Sequence, residues 1–314
     1  MLMVPIQSFS YSAFGLNIFS DLYFPELKVS SEYSNHKRSI QVKKSYLKEL
    51  WAKVGDYSKM YVVQEGYFLF KAPGVGIFCI QDGNKILYEP SGENDLGQLR
   101  LYILGTCMGA LLIQRKILPF HGSSFSFNGK AYAIIGESGA GKSTLTSALI
   151  NKGHRILTDD VIAISSKEYG VPYVYPSYPQ QKLWEESLIE FNMDTSNFTA
   201  LFKRETKYAI PVENHFINNP LPLGGVFELV KSESENVKLT TIDGLERLHI
   251  FYLHTYRNFL VQRFGLRKWH LRYTASFAKN IEVYRLTRPT SRFTANELAT
   301  LIEETVLKEE LVHD

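Results

Sequence analysis

Cysteine is almost missing from this sequence, with two residues, Cys79 and Cys107, in 314. Each sits inside an apolar run, where a free thiol behaves as a small buried hydrophobe. With no Cys-x-x-Cys and no His/Cys cluster, a zinc site has no ligands to draw on. A chain this long and this poor in cysteine fits a reducing compartment. Charge imbalance is missing too: 35 basic against 32 acidic residues leave a net charge of +3. That excludes a strongly basic nucleic-acid binder, though not a local basic site. Long apolar runs are also missing. The longest, Leu101 to Ile113, is too short to span a bilayer, contains Gly105 and Gly109, and reads as a buried helix. Residues 1–12 carry neither a positive n-region nor a clean apolar h-region. The expectation is a soluble cytoplasmic protein with no membrane or nucleic-acid partner, and hydrophobic residues, 45% of the chain, supply ample core.

The residues present change character along the chain. Up to residue 90, short runs of β-branched and aromatic residues (Tyr61-Val62-Val63, Tyr67 to Phe70, Gly76 to Ile80) alternate with turn formers such as Glu65-Gly66 and Pro73-Gly74. Asp82-Gly83-Asn84 between Ile80 and Ile86 is a hairpin signal. Residues 30–44 read as a polar loop leading into a strand. Pro90-Ser91-Gly92 then marks a boundary between a β-rich N-terminal domain, 1–92, and an α/β domain, 93–314. Asn94 or Asp95 would cap the apolar helix that follows. Beyond it, Ala131 to Gly136 reads as a buried strand, Lys142 to Lys152 as a helix, and Arg155 to Leu157 and Val161 to Ile164 as strands. Further on come strands at Gly225 to Lys231 and Ile281 to Leu286, and helices at Leu245 to Gln262 and Asn296 to Leu307. Strand and helix alternating around a buried strand is the pattern of an α/β sheet.

Between that strand and helix lies Gly136-Glu137-Ser138-Gly139-Ala140-Gly141-Lys142-Ser143, a full match to the phosphate-binding loop pattern G-x-x-x-x-G-K-[ST]. The glycines let successive backbone N–H groups turn toward phosphate oxygens, and the helix N-terminus adds its positive end. Lys142 would reach the β- and γ-phosphates of ATP and the Ser143 hydroxyl would ligate Mg²⁺, with Thr144 as a second hydroxyl. The motif by itself stops at nucleotide binding, since it serves ATPases, GTPases, kinases and transporters alike. Asp159-Asp160 follows soon after the loop helix. This spacing predicts the two carboxylates at the end of a strand lying beside the loop strand, aimed at the γ-phosphate. One carboxylate suits Mg²⁺ and the other can accept a proton from an attacking hydroxyl.

Taken together, His121-Gly122, the loop, and Lys152-Gly153-His154-Arg155-Ile156-Leu157-Thr158-Asp159-Asp160 resemble the catalytic core of the HPr kinase/phosphorylase family, spacing included, over Pro119 to Ile164. That family phosphorylates a serine on a carrier protein, and its P-loop fold is similar to that of phosphoenolpyruvate carboxykinase. The resemblance implies Asp159 as the general base and His121 as the histidine contacting it. It implies Lys142 and Ser143 as the loop lysine and metal-binding hydroxyl, and Asp160 as the second acid near the metal. The sequence departs from the family at Ser143-Thr144-Leu145, where the family has Ser-Glu. It also lacks a Glu-x-Arg-Gly stretch, which puts the reverse, phosphorolytic activity and the carrier-protein substrate in doubt. Softer motifs are similar to stand-alone kinases of lasso-peptide precursors: Ala13-Phe14-Gly15-Leu16, Leu22 to Leu27, Pro176 to Trp184, and Tyr284-Arg285-Leu286-Thr287-Arg288-Pro289. In those enzymes the acceptor is a serine at the C-terminal end of a ribosomal precursor peptide. The N-terminal domain would then serve peptide recognition or homo-oligomer contact.

Lys182, between Pro179 and Trp184, is a candidate clamp for the transferred phosphoryl group or for an acceptor carboxylate. Arg257, ahead of a basic and aromatic stretch, is a second candidate to face phosphate. Lys203, Arg204 and Lys207 read as a solvated basic group. The alternatives left open are a kinase of a carrier protein or small molecule, a P-loop ATPase, and a nucleotide-gated adaptor without phosphotransfer.

Overall fold

A computed structural model describes residues 8–30, 38–92, 96–166, 170–202 and 205–313. The capping residues expected at Asn94 or Asp95, and Lys203 and Arg204 of the basic group, lie outside the described residues. The protein is α/β, and it divides into two compact units, 1–119 with 256–270, and 120–255 with 271–314.

In the first unit β1 (Phe9–Ala13), β2 (Leu16–Ser20), β3 (Ser39–Lys44), β4 (Tyr61–Gln64), β5 (Tyr67–Ala72), β6 (Gly76–Gln81) and β7 (Lys85–Pro90) form one sheet. Its strand order is β1-β2-β3-β7-β6-β5-β4, with α1 (Lys48–Val54) between β3 and β4. The Asp82-Gly83 turn joins β6 to β7 with positive φ at both residues, 52° and 63°, which is the chemistry its sequence announces. The apolar run is longer than its sequence suggests. α2 (Leu96–Tyr102) and α3 (Met108–Gln114) are fused through a π-helical stretch, Ile103–Cys107. By length and composition this helix is able to cross a membrane, yet 67% of its most apolar window is buried inside the protein. Tyr102 stacks on Phe78 of β6 at 5.6 Å between ring centroids. That packing places the helix with the first unit, so the boundary read at residue 92 falls inside the unit rather than at its edge.

The second unit is built on β8 (Leu118–Phe127), β9 (Lys130–Ile135), α4 (Lys142–Asn151), β10 (Arg155–Ser165), β11 (Tyr173–Tyr175), β15 (Leu221–Ser232), β16 (Lys238–Thr241), β17 (Glu282–Pro289) and α9 (Ala295–His313). The sheet order is β11-β10-β8-β9-β15-β17-β16, and β11 pairs again with β15. β9, β15 and β17 run parallel, while β8 is antiparallel to β9. A small second sheet, β12 (Gln180–Trp184), β13 (Thr199–Phe202) and β14 (Glu205–Pro211), flanks it, with α5 (Glu185–Glu190) after β12. α6 (Leu245–Leu253) belongs to this unit, α7 (Phe259–Arg263) to the first, and α8 (Arg267–Ala278) has residues in both. The helix expected over Leu245 to Gln262 is therefore interrupted. Thr255 leaves it to bridge to Phe120, and Arg257 takes φ 54°.

Two expectations are corrected by this topology. Arg155–Leu157 and Val161–Ile164 are parts of one eleven-residue strand, β10, so the acid pair sits in mid-strand rather than at a strand end. β10 also does not lie beside the loop strand β9. β8, which carries His121, runs between them. The core beneath the loop joins Ile134, Leu145, Leu149, Leu229, Leu286 and Ile302, so α4 and α9 cover one face of the sheet.

A buried charge cluster ties β15, β17 and the end of α6 together. Glu228 accepts hydrogen bonds from His254 Nε2 at 2.9 Å and from Arg285 Nε at 2.7 Å. The His254 carbonyl in turn accepts the backbone N–H of His121 at 2.9 Å. Glu228→Ala leaves the buried His254 without its acid, while Arg285 keeps Glu246 at 2.9 Å. We expect a stability loss of about 3 kcal/mol, read as a lowered urea midpoint at unchanged m-value.

Candidate active site

The phosphate loop leaves β9 and enters α4 through backbone that demands glycine. Gly136 is pressed against β15, where an added Cβ would lie 2.5 Å from the Leu229 carbonyl oxygen. Gly141, at φ 103°, precedes the first residue of α4. Lys142 is buried, and its ammonium donates to the carbonyl oxygens of Gly136 at 2.9 Å and Glu137 at 2.8 Å. Burial lowers its pKa to about 8, against the pull of Asp159 and Asp160.

Asp159 and Asp160 both line the same cavity of about 540 Å³ as the loop. Neighbouring residues of a regular strand face opposite sides. Here Asp160 takes φ 115°, far from ordinary strand backbone, and the break in alternation lets both carboxylates face one site. A non-glycine residue held there costs about 1–3 kcal/mol, and such strain concentrates at functional sites.

The two acids have different partners. Asp159 Oδ1 accepts from Ser123 Oγ at 2.5 Å and from Ser143 Oγ at 2.9 Å, and its Oδ2 accepts from the Lys182 backbone N–H at 2.8 Å. Burial pushes its carboxyl above the ordinary value, and these three hydrogen bonds pull it back only in part. Asp160 Oδ2 accepts from Lys182 Nζ at 2.6 Å, and its Oδ1 lies 3.6 Å from His121 Nδ1. Burial works against its charge, but Lys182 and then His121 more than offset it, so the carboxyl is held down at about 2. The histidine expected on Asp159 is thus set against Asp160. Its Nδ1 also lies 3.2 Å from the Asp160 carbonyl oxygen, an acceptor, so the neutral ring carries its proton on Nδ1.

Burial, reinforced by Lys142, lowers the His121 pKa to about 4 from 6.5. Between those values the unfolded chain binds more protons than the folded one, so stability falls as pH drops from 6.5 toward 4. His121→Gln should flatten that part of the curve, measured by urea unfolding at a series of pH values.

Among the described residues, no cluster of three or more His, Cys, Asp or Glu could hold a metal. Magnesium needs no such cage, because it takes one or two protein oxygens together with substrate phosphates and water. The hydroxyl of Ser143 and the carboxylate of Asp159 already touch at the start of α4, and this donor pair fits magnesium arriving with a nucleotide. Thr144 is engaged elsewhere, with its hydroxyl 2.8 Å from that of Ser187.

No protein-family model matches the chain. It is 35% identical over 77 residues to an HPr kinase/phosphorylase of Mycoplasmopsis pulmonis, covering 23% of this chain and 25% of that protein. It is 32% identical over 90 residues to the enzyme of the same name from Bacillus pumilus, covering 27% and 29%. It is 42% identical over 48 residues to that of Prosthecochloris aestuarii, covering 15% and 14%. Over these stretches the chain is similar to HPr kinase/phosphorylases. These stretches span less than a third of each relative. Among solved structures, the Hpr(Ser) kinase/phosphatase of Coxiella burnetii is similar at 18% identity with a TM-score of 0.33, covering 61% of this chain and 98% of that one.

The site brings together most residues singled out by sequence. His121, Ser138, Gly139, Gly141, Lys142, Ser143, Thr144, Asp159, Asp160 and Lys182 line one cavity. Lys182 is no surface lysine: it is buried and salt-bridged to Asp160. Arg257 is not among the lining residues. It belongs to the first unit, where its guanidinium donates to the Thr106 hydroxyl at 2.9 Å and lies over the Tyr256 ring. Sequence reasoning missed Ser123, which shares Asp159 with Ser143, and its period-two spacing from His121 on β8 was the available signal. It also missed Arg288, whose Nε donates to the Ala140 carbonyl at 2.7 Å, and it read as solvated Lys207, which lines the cavity from β14.

Proposed function

We propose that this chain is a cytoplasmic, ATP- and magnesium-dependent kinase that transfers the γ-phosphate to a serine-type hydroxyl of a ribosomal precursor peptide, of the kind modified in lasso-peptide maturation. One observation carries the reading. A phosphate loop, an acid hydrogen-bonded to the loop serine, and a second acid clamped between a histidine and a lysine open into one cavity.

The division of labour differs from the one read off the sequence. Asp159 is enclosed by three donors and touches Ser143, the place of a metal-side acid. Asp160 keeps 22% of its side chain exposed and lies on His121, the place of the base. Asp160 then receives the proton of the acceptor hydroxyl as its oxygen bonds to phosphorus and the bond to ADP breaks. His121, neutral, holds Asp160 in position, and Lys182 balances its charge. The loop N–H groups and Lys142 grip the phosphates, and magnesium, when bound, neutralises charge between the β- and γ-phosphates. Positioning and charge stabilisation of this sort supply most of the catalysis in phosphoryl transfer.

The similarity to HPr kinase/phosphorylases favours a second reading in which the acceptor is a serine of an HPr-like carrier protein. Incubation with ATP·Mg²⁺ and either a peptide ending in serine or HPr, followed by mass spectrometry, separates the two. Phosphate on the peptide alone supports the first reading. ATP consumed with phosphate on neither acceptor sinks both and leaves an ATPase.

A further inference from the structure

The cations lining the cavity are spoken for, with one exception. Lys142 binds loop carbonyls, Lys182 binds Asp160, and Arg288 binds the carbonyls of Ala140 and Pro289. Arg292 pairs with Glu297. Lys207 lines the same cavity, and among the described residues it has no carboxylate or carbonyl partner. Its ammonium lies 5.2 Å from the centre of the Trp184 ring.

Strand geometry says where this charge stands. β12 and β14 are antiparallel, with Trp184 opposite Lys207 and Lys182 opposite Ala209. Residues two apart share a face of a strand, and cross-strand partners share it too. Lys182, Trp184 and Lys207 therefore line up on one face. Lys182 marks the position of Asp160, and Trp184 with Lys207 stands one step outward, about 7 Å along the strand. Lys207 also bears electrostatically on Asp160, His121 and Lys142. Trp184 leaves 39% of its surface exposed, so the ring is available as an apolar floor beside the charge.

We propose that Lys207, held over Trp184, is the anchor for a carboxylate on the acceptor, placed within one residue of the hydroxyl that is phosphorylated. This deepens the kinase reading and rests on it for the identity of the hydroxyl. The chemistry fits two sources, the main-chain carboxylate of a terminal serine or an acidic side chain next to an internal serine. An acceptor of either kind runs its hydroxyl to Asp160 and its anion to Lys207. The Trp184 ring under the ammonium limits competing hydration.

Three peptides of otherwise equal sequence test this: one ending in serine with a free carboxylate, the same peptide amidated, and an amidated peptide with aspartate after the serine. Binding is followed calorimetrically in the presence of ADP·Mg²⁺, and phosphate transfer by mass spectrometry with ATP·Mg²⁺. We expect the amidated peptide to bind about tenfold or more weaker than at least one of the carboxylate peptides, the value of one hydrogen bond to a charged group. Which carboxylate peptide binds best identifies the source. Lys207→Met should erase the preference, and Lys207→Arg should keep most of it, with circular dichroism confirming the fold. Equal binding of all three peptides by the wild type overturns the proposal. So does a Lys207→Met variant that weakens ATP rather than peptide, which would make Lys207 a nucleotide contact. Carboxylate-dependent binding without any phosphate transfer leaves Lys207 as the anchor and overturns only the kinase reading.

Discussion

Asp160→Asn should lower the rate of phosphate transfer by about 10³-fold, the usual worth of a positioned general base, while ATP·Mg²⁺ binds almost as tightly as to the wild type. The asparagine keeps the shape of the side chain and removes its capacity to take a proton together with its charge. It also strands the buried Lys182 ammonium, which lies 2.6 Å from the carboxylate it would lose. Some destabilisation therefore accompanies the loss of activity, and the two must be separated. The double variant Asp160→Asn/Lys182→Met removes the orphaned charge, so it should recover stability without recovering turnover. Asp159→Asn gives the contrast. If Asp159 serves the metal through its contact with Ser143, its loss should raise the magnesium concentration needed for half-maximal rate, and excess magnesium should restore part of the activity. Rescue by magnesium at Asp160→Asn and not at Asp159→Asn would return the roles to the assignment made from sequence.

The partners of the two acids show what was legible in the chain and what was not. The loop was legible because its function is written into backbone requirements: a residue that presses on Leu229 and one at φ 103° both ask for glycine, and the spacing follows. The strands and helices flanking it followed from burial periodicity. The identity of each acid's partner did not. Adjacent carboxylates on a strand should diverge, and only the unusual backbone at Asp160 brings both to one side, a conformation with no signature in an Asp-Asp pair. Nor could the spacing show that β8 would run between β9 and β10, which is what carries His121 and Ser123 to the two acids. Lys207 and Arg288 reach the cavity from residues more than 60 positions beyond the loop, through pairing across β12 and β14 and through the parallel register of β15 and β17. Long-range pairing of that kind leaves no local mark, and a basic residue in a turn-rich stretch reads equally well as solvated surface. Arg257 failed for the converse reason: a basic, aromatic setting looked like a phosphate site, and the side chain is instead committed to Thr106 and Tyr256.

Lys142→Met should weaken ATP·Mg²⁺ binding by about 100-fold, from the loss of two hydrogen bonds made by a charged donor at roughly 1.5 kcal/mol each. The ammonium is bound to the carbonyls of Gly136 and Glu137 within its own loop. Those contacts hold the side chain folded over the cradle, and exchanging them for phosphate oxygens returns a buried cation to anionic partners. Burial already lowers the lysine's pKa to about 8, and a bound triphosphate should raise it again, so nucleotide binding near that pH should take up protons. Calorimetry in buffers of different ionisation enthalpy measures that uptake directly, and Lys142→Met should abolish it. The methionine stem still fills the buried path of the lysine, so the fold survives, with a cost of about 1–3 kcal/mol for the carbonyls left without a donor. Wild-type affinity in Lys142→Met, with no change in proton uptake, would mean that the loop does not cradle phosphate, and the acids beside it would then have no nucleotide to serve.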